Sequence, residues 1–412
     1  MKTALSLAVL AATTASLAIA APAAAKPGDP IKVSDDLTID PIIEGTLRWE
    51  HVDQDNLNLD ADAVTMRMRA GAEATTNGLS LLAEAEGTLA ISDHYNDTIA
   101  GNNGYLGAEP YSVVADPQNV ELNRLQLSYK GKAAKVTIGR QRIILDDARF
   151  VGNVGWRQNE QTFDAIRGEA KVGPVALDAT YSLSQRTIFG VDSPNSHFDG
   201  DFILVNAGID AKPFKIVGFA YLLDYDARIA FSSQTYGAMV IGSVPLAGKT
   251  KLDVKLRYAN QQDYKLNPTH YSADYFGAEL GVSVAGFGVK GGYEVLGSDD
   301  GVAAFQTPLA TLHAFNGWAD LFLTTPAGGL RDYYGGLSGK FGNAGPLKGL
   351  NAAVLYHKFE SDFTGADYGQ EWDASLGFAV AGYPVLLKYA NYDAKGFGSD
   401  TEKFWLQVSF KY

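Results

Sequence analysis

The chain has no cysteine among its 412 residues, so neither a disulfide nor thiolate chemistry can serve it. Beyond the first 25 residues it also lacks any apolar run of about 18 residues, which excludes a helical membrane span. Basic residues are in deficit: 34 Lys and Arg stand against 47 Asp and Glu, a net charge of −13, with no basic run to interrupt it. Nucleic acid is therefore not an expected partner. Catalytic spacing is missing as well. The six histidines, His51, His94, His197, His270, His313 and His357, are scattered, and no nucleophile is set beside a base. The expectation is no enzyme, no cofactor and no metal. The acidic triplets "SDD" (Ser298 to Asp300) and "LDD" (Leu145 to Asp147) lack the spacing of a calcium loop and read as solvated loop acids.

What is present begins with an export signal. One Lys, an alanine-rich apolar run and the small residues Ala23, Ala24 and Ala25 form a signal peptide over residues 1–25, so the mature domain is expected at 26–412. With 44 glycines, 20 Phe and 21 Tyr, an exported, acidic, cysteine-free chain points to the bacterial cell envelope. A membrane is not excluded by the missing helix. A transmembrane barrel crosses with strands of roughly 9–11 residues that alternate in polarity.

That alternation runs through the sequence. Val64, Met66, Met68, Ala70, Ala72 and Ala74 interleave with Thr65, Arg67, Arg69, Gly71, Glu73 and Thr75, and Leu252, Val254, Leu256 and Tyr258 with Asp253, Lys255 and Arg257. Tight connectors recur at Asn77-Gly78, Lys130-Gly131-Lys132, Gly173-Pro174, Lys212-Pro213, Pro245 to Lys249, Ala285-Gly286, Asn343 to Gly349 and Ala381-Gly382. Between them lie nine longer polar segments, the longest at 92–118, 143–161 and 298–330. Short and long connections alternate strictly, as short periplasmic turns and long extracellular loops do in an outer-membrane barrel. Eight turns and nine loops make 18 strands. The fold expected is all-β, a transmembrane antiparallel β-barrel of about 18 strands in the bacterial outer membrane. Segment 298–330 is long enough to fold inward as a constriction. The C-terminal "TEKFWLQVSFKY", apolar at Phe404, Leu406, Val408, Phe410 and Tyr412, resembles the terminal signature strand of such barrels.

If apolar residues face lipid, the opposite face lines a water-filled lumen. Asn77-Gly78 sets the first hairpin's register, so Arg69 should oppose Glu86, and Arg67, Glu73 and Glu84 should point inward beside them. Arg124 and Arg167 fall on the inward face of later strands. Arg140 and Arg142 break the alternation: Val136 and Ile138 are outward by one phase, Ile143 and Leu145 by the other. A β-bulge at Gly139 would reconcile the two phases by turning both arginines inward. Eight of the 13 arginines lie between Arg67 and Arg167, and guanidinium groups crowded in one tube would hold carboxylates or phosphates. The competing reading is structural, the arginines neutralising inward acids such as Glu84 and Glu86.

The blocks "GRQ" (139–141) and "GWRQNEQTFDAIR" (155–167), with "HAFNGWADLFL", "TP" and "GGLRDYY" between His313 and Tyr334, resemble the alginate-export family of bacterial outer-membrane porins. The resemblance implies a barrel that passes a polyanionic polysaccharide or oligosaccharide through an arginine-lined lumen. Arg140, Arg142, Arg157 and Arg167 belong to the matched block; Arg67, Arg69 and Arg124 come from periodicity. Implied partners are outer-membrane lipid, an anionic glycan or other small anion, and periplasmic export proteins. The alternative is a general or small-anion diffusion porin.

Overall fold

Strict alternation of polarity, broken every dozen residues by Gly, Pro or Asn, leaves the chain one economical arrangement. It winds up and down as hairpins and closes on itself. The computed structural model describes residues 29–105 and 109–412; the expected signal peptide lies outside the described residues. The wall comprises β1 (Leu37–Gln54), β2 (Ala61–Thr76), β3 (Leu79–Ala90), β4 (Asn119–Lys130), β5 (Ala134–Gln141), β6 (Thr162–Val172), β7 (Val175–Arg186), β8 (His197–Ala211) and β9 (Phe214–Tyr225). It continues with β10 (Ser233–Pro245), β11 (Thr250–Asp263), β12 (Ser272–Val284), β13 (Phe287–Leu296), β14 (Leu330–Ala344), β15 (Leu347–Glu360), β16 (Asp367–Val380), β17 (Tyr383–Ala394) and β18 (Thr401–Lys411).

Each strand pairs antiparallel with its sequence neighbours, and β1 pairs with β18 from Glu44↔Lys411 to Gln54↔Thr401, which removes both sheet edges. All eight short connectors are turns between paired strands, and the three long loops lie within one residue of their expected limits. Arg69 faces Glu86 in the first hairpin, as its Asn-Gly turn requires.

The outer surface is an apolar band. Leu81, Leu127, Ile138, Leu280, Val289 and Leu337 are exposed along it, with Tyr129, Phe287, Phe341 and Tyr383 toward the turn end and Trp49, Tyr236, Tyr258 and Trp372 toward the loop end.

The interior is filled by loops. Segments 142–161 and 297–329 turn into the barrel and bind each other through a parallel bridge between Val151 and Leu309, a Gly152 N–H to the Leu309 carbonyl at 2.8 Å and a Thr311 N–H to the Ala148 carbonyl at 3.0 Å. Their apolar side chains, Ile143, Leu145, Phe150, Phe305, Leu309 and Phe322, join a core supplied by Phe202, Leu204, Phe219, Tyr221, Leu223 and Tyr275 of the wall. Each fully buried aliphatic or aromatic side chain contributes about 1.5–3 kcal/mol. The inward fold of 297–329 is therefore stabilised from within.

The bulge expected at Gly139 is absent. The β4–β5 and β5–β6 ladders run past it without a register shift, Gly139 opposing Gln126 on one side and Ala165 on the other. Gly139 does need to be glycine: its φ is +113°, and a Cβ there would sit 2.3 Å from the Leu125 carbonyl oxygen. The change of phase occurs one strand earlier, at Asn123, where the β3–β4 register slips between Glu84↔Arg124 and Ala85↔Leu122. Asn123 and Arg124 thereby both point inward.

Candidate functional site: the charged lumen wall and its constriction

Strands β1 to β6 present the charged wall. Arg69 is hydrogen-bonded to Glu86 and, at 2.9 Å, to Glu44, with Glu160 3.9 Å away. Arg124 grips Glu84 through two hydrogen bonds of 2.8 and 2.7 Å, and Asn123 bridges Glu84 and Glu160 at 2.7 Å each. Arg67 lies 3.6 Å from Glu44 and donates to Thr46 at 3.1 Å. Arg167 is bonded to Asp178 on the neighbouring strand. Glu84 and Glu86 are buried within this network.

Arg142 reaches the lumen without a bulge. The ladder ends at Gln141, the chain peels inward, and Arg142 donates to the buried Glu160 at 2.7 Å. Burial alone would raise the Glu160 carboxyl, but the Arg69 and Arg142 guanidinium groups and the Asn123 amide outweigh it and hold its pKa at about 2. Arg140 is a correction. Its neighbours in sequence and space, Gln141 and Phe163, are buried inside, so Arg140 shares the outward phase of Ile138 and Leu125 and is neutralised by Asp164 at 2.8 Å. Ile143 and Leu145 misled the phase argument because they are apolar for the sake of the loop core, not of lipid.

At a second level, loop 142–161 carries Trp156 and Arg157 against strands β1 and β17 and against loop 297–329. Arg157 contacts Glu50 at 3.1 Å, Asp320 at 3.2 Å and Asp116 at 3.6 Å. Beside it the Trp156 ring meets the Arg48 guanidinium at 4.1 Å, the Lys388 ammonium at 4.1 Å and the His313 ring stacked at 4.7 Å. Lys388 also lies 3.8 Å from the Trp318 ring, and its Nζ is 2.6 Å from His313 Nε2. Burial pushes the His313 imidazole down to about 3, so it is neutral at pH 7 and can accept from Lys388 while its Nδ1–H donates to Asp320 at 2.9 Å. Arg149, buried among Glu294 (2.7 Å), Thr307 and Asn316, ties loop 142–161 to loop 297–329.

Cavities approach this level from both ends. On the loop side one of about 560 Å³ touches Arg157, His313, Asp320 and Lys403; on the turn side one of about 260 Å³ touches Arg48, Arg67 and Trp156. A third, of about 480 Å³, opens near the turn end beneath loop 142–161 and is lined by Lys130, Lys132, Lys135, Lys171, Lys215 and Arg167, with Asp146, Glu169 and Asp178 among them. The "LDD" acids are engaged: Asp146 accepts from Lys215 at 2.8 Å and from Asn206 at 2.7 Å, and Asp147 pairs with Arg257.

Of the expected lumen residues, Arg67, Arg69, Arg124, Arg142, Arg157 and Arg167 share the interior with Glu84 and Glu86, and Arg140 does not. Arg48, Glu50, Asp116, Trp156, His313, Asp320 and Lys388 were not singled out. Trp156, His313 and Asp320 sit inside the quoted sequence blocks, and Lys388 lies between Leu387 and Tyr389, on the opposite phase of their strand.

Residues 47–216 match the alginate-export family model, a span that includes "GRQ" and "GWRQNEQTFDAIR" and ends before the His313 to Tyr334 block. A search of characterised protein sequences gives no match. Among solved structures, OpdO of Pseudomonas aeruginosa is 14% identical, with 91% of this chain and 97% of that one covered at a TM-score of 0.68. OpdK of the same bacterium, solved with vanillate, is 14% identical, with 90% and 98% covered at 0.67, and OpdL is 15% identical, with 91% and 98% covered at 0.67. At such identity the likeness is one of fold. The chain is an outer-membrane β-barrel of the porin fold, and from residue 47 to residue 216 it carries the match to the alginate-export family.

Proposed function

We propose that the barrel is a selective channel for an anionic glycan, an oligouronate-like chain that enters at the turn end and passes along the charged wall. The observation that carries this reading is the lysine-rich cavity at the turn end, where Lys130, Lys132, Lys135, Lys171 and Lys215 converge with Arg167. The short turns add Lys212 and Lys249 and hold no Asp or Glu, whereas the outer loops are rich in aspartate, as at Asp55, Asp60, Asp299 and Asp300. Such a field favours capture of a polyanion from the periplasm. A passive pore has no direction of its own; outward flow follows from supply on that side.

Paired arginines suit this task better than bare ones. A naked guanidinium cluster away from bulk water would hold a polyanion too firmly for release, and conduction needs sites that are favourable to enter and weak enough to leave. On the charged wall a substrate carboxylate can replace Glu44, Glu84 or Glu160 as a partner for one step and hand back the guanidinium at the next. Passage of a sugar ring also requires Trp156 and its loop to yield at the constriction.

The test is oligogalacturonate block of single-channel current in an oriented planar bilayer. Block at lower concentration from the turn side than from the loop side, weakened when Lys132, Lys135 and Lys171 are all changed to Gln, is the expected result. Equal block from both sides, or none, would defeat the reading.

A further inference from the structure

Arg228 stands apart from the other arginines. Among the described residues eleven arginines have a carboxylate within 4.0 Å, and Arg186 interacts with Glu121. Among those same residues the Arg228 guanidinium has no carboxylate at that distance and no hydrogen-bond partner, the backbone carbonyl of Arg228 alone accepting, from Phe231 N–H at 2.8 Å. It projects from the outer loop between β9 and β10, and two rings fix it: the guanidinium carbon is 4.4 Å from the centre of Phe198 and 4.0 Å from that of Phe231. Stacking occupies the faces of a guanidinium and leaves its edge, with the N–H donors, free.

Arg228, Phe198 and Phe231 all line the loop-side cavity of about 560 Å³. That volume lies in the range of small-molecule sites. Val113, Phe189, Leu312 and Leu323 supply apolar wall, and the amides of Gln185 and Gln306 that also line it are engaged with Gln161, Pro308, Tyr225 and Thr325. The two other cations that reach the cavity, Arg157 and Lys403, are committed to Asp320 at 3.2 and 3.5 Å.

We infer that the loop-side cavity is a binding site for an amphiphilic monoanion, a compact apolar ring or short chain carrying one carboxylate, with Arg228 as the residue that receives the carboxylate. One charge suffices, because Arg228 is the one lining Arg or Lys without a carboxylate partner among the described residues. The guanidinium edge accepts a carboxylate by two parallel N–H···O bonds, and the phenyl rings beside it favour an apolar body behind the carboxylate. The site faces outward and does not depend on the glycan reading.

Isothermal titration of the full-length protein in detergent micelles tests this with benzoate as the probe and benzamide, its uncharged isostere, as the comparison. Benzoate should bind saturably, one per chain, and benzamide about tenfold more weakly, since a hydrogen-bonded charge is lost. Arg228→Gln should weaken benzoate by about the same factor and leave benzamide unchanged, and Arg228→Lys, a cation without the fork, should fall between. The inference is overturned if benzoate does not bind, if the two probes bind alike, or if Arg228→Gln leaves benzoate affinity intact.

Discussion

The two halves of the lumen wall hold the same inward loops with different balances of force, ion pairs on one side and ion pairs around an aromatic core on the other. On the side of β1 to β6, loop 142–161 is held by directional ion pairs: Arg142–Glu160, Arg157–Glu50 and Arg69–Glu160. On the side of β8 to β13 it rests on Phe202, Phe219, Tyr221 and Tyr275 through apolar contact, and the pairs Asp146–Lys215, Asp147–Arg257 and Arg149–Glu294 flank that aromatic patch. Ion pairs can exchange partners with a charged solute, and packed aromatic rings cannot. The charged side is therefore the path and the apolar side the anchor.

Separating the two sides should be possible by mutation. Arg149→Ala should have the largest effect, because it leaves Glu294 buried without its cation, a loss of about 3–5 kcal/mol. Both loops should come free, raising single-channel conductance and exposing 142–161 to protease. Phe219→Ala opens a cavity under Phe150, with an expected cost of about 3–5 kcal/mol. It should lower the temperature at which the barrel unfolds on a heat-modifiability gel while leaving ion preference as it was.

On the β1 to β6 side acid should act through Glu160. Glu160 is held at about 2, below the ~4.3 of an unfolded glutamate. A depressed carboxylate contributes stability that is present above the unfolded value and lost as pH falls through the folded one. Pepsin should find loop 142–161 docked at about pH 4 and increasingly open toward about pH 2. Arg140→Ala should do least. Its partly exposed pair with Asp164 lies on the outer face, where such pairs contribute about 0–1 kcal/mol, and neither conductance nor ion preference should change.

These contrasts also mark what the sequence could reveal. Turns and wall strands were legible because Gly, Pro and Asn connectors and a period of two act locally, residue by residue. The phase slip in β4 was legible too: Val120 and Leu122 run on even numbers, Leu125, Leu127 and Tyr129 on odd, with Asn123 between. The same argument failed at Gly139 because it assumed that every apolar residue near a strand faces lipid. Ile143 and Leu145 face a core made by two loops that meet only after the barrel has closed. The apolar anchor was hidden for a related reason. In "FKIVGFAYLLDY" both faces of β9 are apolar, which gives no alternation to read. Trp156, His313 and Lys388 come from a loop, another loop and a strand far apart in sequence, so only the folded structure brings them together.

The most direct test of the division into path and anchor is the reversal potential across a planar bilayer under a salt gradient, compared for the wild type, Arg142→Gln and Phe219→Leu. The account predicts anion preference in the wild type, a clear loss of it in Arg142→Gln, and no change in Phe219→Leu. Cation preference in the wild type, or an equal shift in both variants, would contradict it.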